Sequence, residues 1–156
     1  MTSKSKGKPK REARTKEMLL PLTARIARDI SLENHLALAT MRAGRGTSDT
    51  MVALVRLLYM LYFILDTACA EIDVAQFLKV EAVLDESIRA EAQGSGWKLP
   101  MDKMPTVEWV LQRFDEVVVS MPKNCYVEAW DKLNRFVNST QPSPLPGSQA
   151  GRIWGE

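Results

Sequence analysis

Between Met51 and Leu65 the chain reads MVALVRLLYMLYFIL, and every residue but Arg56 is apolar. No face of a helix built from it would be polar, so the segment has to be buried. A membrane span needs about 20 mostly apolar residues. Here the run is shorter, contains Arg56, and is closed by Asp49 before it and Asp66 after it. The pattern therefore predicts a helix at the centre of a bundle, with Arg56 reaching the surface along its apolar stem or pairing with a carboxylate.

The flanking segments carry one-sided helical patterns. Thr23 is suited to cap a short helix with Ile26 and Ile30 at i and i+4. Ser31 is suited to open a second, Leu32 to Ala43, with Leu32, Leu36, Ala39 and Ala43 on one face and Gly44 and Gly46 at its end. Thr47 or Ser48 caps the apolar helix, which runs to about Ala70. Asp73 and Gln76 have capping-box spacing and start another helix, whose stripe is Val74, Phe77, Leu84 and Ile88 and whose stop is Gly94 with Gly96. One continuous helix through Glu71 and Asp73 is the alternative. Trp97 to Pro105 reads as a loop. Thr106 then caps a strongly amphipathic helix with Val107, Val110, Leu111, Phe114, Val117 and Val118 on one face. Pro122 opens the last helix, burying Tyr126, Ala129, Trp130, Leu133, Phe136 and Val137.

No alternating strand pattern and no internal repeat appears, so the fold class is all-α: a compact bundle of about five helices around a central apolar one. Residues 1–16 form a basic arm with too little apolar surface to order itself, residues 17–138 the bundle domain, and residues 139–156 a flexible tail rich in Pro, Gly and Ser. A length of 156 residues suits one domain with a core of its own.

Charge divides the chain unevenly. Lys4, Lys6, Lys8, Lys10, Arg11, Arg14 and Lys16 face Glu12 alone in the first sixteen residues, whereas from Thr47 onward ten basic residues face fifteen acidic ones. An acidic body thus carries a basic arm, and those seven cations are suited to contact phosphate with salt-sensitive, largely sequence-independent affinity for nucleic acid. Without interleaved aromatic residues the arm is not built to stack on bases. Arg42 and Arg45, set among Gly44 and Gly46 just before a helix N-terminus, are further candidates for phosphate contact. The segment from Thr106 to Asn138, two helices joined by a tight turn, would be the place for a helix-turn-helix. Its last helix carries Glu128 and Asp131, a poor fit to the major groove.

Candidate catalytic chemistry is sparse. His35 is the only histidine, and Cys69 and Cys125 are too few for a disulfide framework and fall in predicted helices, as reduced core residues. One histidine and two distant cysteines do not make a zinc set, and a Glu-x-x-His di-iron site is out of reach. The carboxylate pairs Asp85/Glu86 and Asp115/Glu116, with Glu81 and Glu91, read as a solvated face. No enzyme, metal, cofactor or small-molecule substrate is expected. Trp109, off the stripe of its helix, and Trp154, in the tail, are candidate exposed anchors for a protein partner. The lysine-rich start lacks a secretory pattern, which predicts a cytoplasmic location away from the membrane.

The stretch LENHLALATMRAGRG, Leu32 to Gly46, followed by LVRLLYMLYFIL, Leu54 to Leu65, resembles small helical proteins of proteobacterial plasmids and integrative elements, some labelled Fis-type transcriptional regulators. The resemblance covers about the first half of the chain and holds no catalytic or ligand motif. It implies an accessory protein of a mobile element in a bacterial cytoplasm. Together with the arm, it makes a non-enzymatic DNA-associated or regulatory protein the leading expectation, with specificity supplied by a partner or a homodimer. The runner-up is a protein–protein interaction module acting on a host or element protein without nucleic acid.

Overall fold

The computed structural model describes residues 16–151. Among them are six α-helices: α1 (Lys16–Leu19), α2 (Ala24–Arg42), α3 (Ser48–Thr67), α4 (Val74–Ala92), α5 (Met104–Val118) and α6 (Lys123–Val137), with a 3-10 turn at Met101–Lys103 before α5. No strand forms among the described residues, and the all-α bundle is as the hydrophobic pattern requires.

The apolar run lies at the centre. α3 packs against α2, α4, α5 and α6, and ten of its residues, including Val55, Leu58, Tyr59, Leu61 and Ile64, are buried. By length and composition α3 is apolar enough to cross a membrane, but 56% of its apolar stretch is buried inside the bundle. Burying a side chain of this size is worth about 1.5–3 kcal/mol, so enclosing a helix apolar on every side is the largest stabilising contribution available to the chain. Edge-to-face aromatic contacts join the layers: Tyr59 with Phe136 at 5.4 Å and Phe77 with Trp109 at 5.5 Å between ring centres.

Helix ends follow local chemistry. Thr47 and Thr50 form a reciprocal capping box at the start of α3, and Asp73 accepts the Gln76 N–H at 3.2 Å at the start of α4, so two helices span this region. Three helices close in the same hydrogen-bonded motif, in which the residue just past the helix turns left-handed and the next N–H reaches back five residues. These bonds are Arg45 to Thr40, Ala70 to Leu65 and Ser95 to Ala90. Gly44 and Gly94 supply two of the left-handed residues; the third is Cys69, at φ 52°.

Three expectations are corrected. Ser31 opens no new helix, because α2 runs unbroken from the Thr23 cap to Arg42. The face of α2 that enters the core is Ala27, Ala37, Leu38 and Met41, while Leu32, Leu36, Ala39 and Ala43 point outward. Cys69 lies outside the helices and is exposed, and Cys125 is half-buried. The start of α5 also shifts by less than a turn, to Met104, because Pro105 is favourable in a first turn that leaves its missing N–H unneeded.

The segment after α6 is likewise no free tail over residues 139–151. Leu145 is 4% exposed and belongs to the core. Ser143 and Ser148 each accept a backbone N–H two residues on, from Leu145 and Ala150, and each donates its hydroxyl to Glu81 of α4. Glu81, 2% exposed, also accepts the Tyr59 hydroxyl at 2.8 Å. A buried carboxylate is tolerated when it is hydrogen-bonded, and these three hydroxyls reach both of its oxygens.

Candidate functional site

Of the arm residues singled out for phosphate contact, only Lys16 falls among the described residues, exposed in α1. Lys4, Lys6, Lys8, Lys10, Arg11 and Arg14 lie outside them, as does Trp154. The α1 segment is tied to α6 by the Lys123 N–H on the Leu20 carbonyl at 2.7 Å and by a Lys123–Glu17 ion pair at 3.2 Å. Glu17 and Leu20 therefore lie beside the N-terminus of α6.

Arg42 and Arg45 are engaged differently. Arg42 forms an ion pair with Glu108 of α5, while Arg45 is exposed and its backbone N–H closes the end of α2. Thr47 spends its hydroxyl on the N-cap of α3. Gly46 has a packing role: a Cβ there would lie 2.6 Å from the Trp97 carbonyl oxygen and collide with the Met41 sulfur. Trp109 is half-buried, with its ring against Phe77, which leaves it less available as an anchor than its position off the stripe suggests.

Five cations among the described residues form ion pairs. Arg89 pairs with Asp85 at 2.9 Å, Arg113 with Glu116 at 3.3 Å and Lys132 with Asp66 at 3.2 Å, beside the Arg42 and Lys123 pairs already named. His35 bonds Asp115 of α5 through Nε2 at 2.8 Å. With Arg42–Glu108, it gives two polar clasps between α2 and α5. Among the described residues no group of three or more His, Cys, Asp or Glu is placed to hold a metal ion. Glu81, read from the sequence as part of a solvated face, is the one buried acid among the described residues. Its position was legible, since it fills the gap between Phe77 and Leu84 in the α4 stripe. Its two oxygens are occupied by hydroxyl donors, an arrangement that locks the 139–151 segment onto α4 rather than one prepared for acid–base work.

The least explained surface is the outer face of α2. Leu32 and Leu36 are 67% and 61% exposed, and Ala39 and Ala43 continue the line at helical spacing. Single exposed apolar residues are ordinary, but an i, i+4, i+7, i+11 series is a continuous stripe along one side of a helix. Glu33 borders it on one flank, and His35 and Arg42, clasped to α5, on the other. Such a stripe with a charged border is the pattern of a face that packs against another helix. Comparison with protein-family models, with curated proteins and with solved structures finds no match to this chain.

Proposed function

We propose that the chain works without catalysis, as a protein–protein interaction module whose α2 presents Leu32, Leu36, Ala39 and Ala43 to an apolar helix face of a partner protein. The exposed stripe carries this reading. Leu32 and Leu36 contribute little to the core, so the fold itself gives no reason for leucine at either position. Helix-in-groove or helix-on-helix recognition uses anchors at this spacing. The setting proposed is a bacterial cytoplasm and the accessory apparatus of a mobile element, as the resemblance of Leu32 to Gly46 and Leu54 to Leu65 implies.

The test is a double substitution, Leu32→Glu with Leu36→Glu, compared with the unaltered chain for stability and for site-specific photocrosslinking in the producing cell. The proposed reading requires an unchanged fold and the loss of a discrete crosslinked adduct formed from the α2 face. An adduct that survives the double substitution contradicts it.

A second reading, DNA association, is favoured by the seven cations between Lys4 and Lys16, a density matched nowhere in the bundle. Fluorescence anisotropy of labelled duplex, titrated with the full chain and with a chain starting at Glu17, tests it. Binding by the arm requires a log K that falls against log salt by about 0.9 per phosphate contacted and that vanishes without residues 1–16. Equal or absent binding by the two chains rejects it.

A further inference from the structure

Arg56, the single polar residue of the Met51 to Leu65 run, emerges into a groove of about 220 Å³ between α2, α3 and α6. Glu33 and Asn34 line it from α2, and Tyr126 and Trp130, one helical turn apart, from α6. Arg56 and Glu33 take part in none of the ion pairs formed within 4.0 Å among the described residues. A cation and an anion therefore face one groove without meeting. The Tyr126 hydroxyl feels both: burial pushes its pKa up, the Arg56 charge works against that shift, and the Glu33 charge adds to it. Trp130, expected inside the core, is instead 39% exposed at the rim, and Leu57 and Met60 are buried beneath.

We infer that this groove binds a free α-amino acid with an apolar side chain, its carboxylate on Arg56, its ammonium group on Glu33 and its side chain against Trp130 and Met60. A guanidinium is a planar fork of donors that matches a carboxylate, and the Asn34 amide and Tyr126 hydroxyl add neutral donors beside it. Glu33 selects against a simple anion, because a phosphate or lone carboxylate would face a like charge, whereas a zwitterion carries the complement of both groups. Size points the same way: drug-sized ligands occupy about 300–1,000 Å³, and this smaller space suits one amino acid rather than a nucleotide. The groove lies on the α6 flank of α2 and shares Glu33 with the border of the outward stripe, but Leu32 and Leu36 take no part in it.

The experiment is a titration of the full, ¹⁵N-labelled chain with L-leucine, L-methionine and L-phenylalanine, followed by the Arg56 Nε–H and the Trp130 indole N–H, the latter assigned with Trp130→Phe. Saturable shifts at both groups with at least one of the three are expected. For that amino acid, the N-acetyl derivative, which lacks the ammonium group, and the amide, which lacks the carboxylate, should each bind at least about tenfold more weakly. Arg56→Met keeps the apolar stem at an exposed position, so it should abolish saturation without changing the melting temperature. Absence of a saturable shift with all three amino acids, equal binding of the derivatives, or saturation that persists in Arg56→Met would overturn the assignment.

Discussion

Removing one oxygen from the core, by Tyr59→Phe, probes how the buried acid holds the bundle and its C-terminal segment together. Tyr59 is fully buried in α3 and donates to Glu81 at 2.8 Å, alongside the two serine hydroxyls of the 139–151 segment. A hydrogen bond to a charged group contributes about 1.5–3 kcal/mol, so the variant should lose about 2 kcal/mol at pH 7. For a chain of this size that corresponds to a fall of roughly 4–8 °C in Tm. The loss should shrink at alkaline pH. Burial first, then the charge and hydrogen bond of Glu81, push the Tyr59 pKa far above its ordinary value of 10.0. Its stabilising contribution is therefore whole below pH 10 and is lost above it, where the unfolded chain gives up a proton that the native phenol keeps. The slope approaches about 1.4 kcal/mol per pH unit. The Tyr59→Phe chain has no such slope from this position, while Tyr62 and Tyr126, also raised by burial, remain in both chains. Urea denaturation at pH 7, 9, 10 and 11, followed by far-ultraviolet circular dichroism, measures the gap between the two chains. A gap that stays constant from pH 9 to 11, or no loss at pH 7, would refute the reasoning.

Three further substitutions test separate parts of the fold. Leu145→Ala should cost about 2 kcal/mol or more by thermal or urea unfolding if the segment after α6 is part of the core; a cost within about 0.5 kcal/mol would mean that it is not. Gly46→Ala should destabilise by about 1–3 kcal/mol, since the added Cβ meets the Trp97 carbonyl and the Met41 sulfur, and an unchanged urea midpoint would show that the turn yields freely. Cys69→Gly should stabilise by about 0.5 kcal/mol, because glycine relieves the left-handed strain at φ 52° but brings a more flexible unfolded chain; a destabilised variant would contradict this.

The parts of the fold legible in the sequence are those where burial is decided by large apolar side chains. Every residue of the stripe from Val107 through Val110, Leu111, Phe114 and Val117 to Val118 is buried, and the all-round apolar α3 sits at the centre. α2 misleads because its inner face is built partly of small residues, Ala27 and Ala37, which give little hydrophobic contrast, whereas its outer face carries Leu32 and Leu36. With period alone as a guide, the larger stripe reads as the core. Ser31 misleads for a related reason: a good capping residue is tolerated inside a helix once packing on both sides holds the backbone. The closing segment is hidden because a Pro- and Ser-rich composition signals disorder unless something fixes it, and the acid that fixes it lies more than sixty residues earlier in the chain. The outer α2 stripe is visible as a pattern but not as a surface, since spacing shows which residues share a face and not which way that face points.

Crosslinking from position 36 of the full chain tests the central claim most directly. A photoreactive amino acid in place of Leu36 should yield a discrete protein adduct in the producing cell. The adduct should be lost when Leu32→Glu is added and should not form from a photoreactive residue at exposed Val119, which lies off the stripe. No adduct from position 36, or an adduct that forms equally from position 119, would contradict a partner on the outer face of α2.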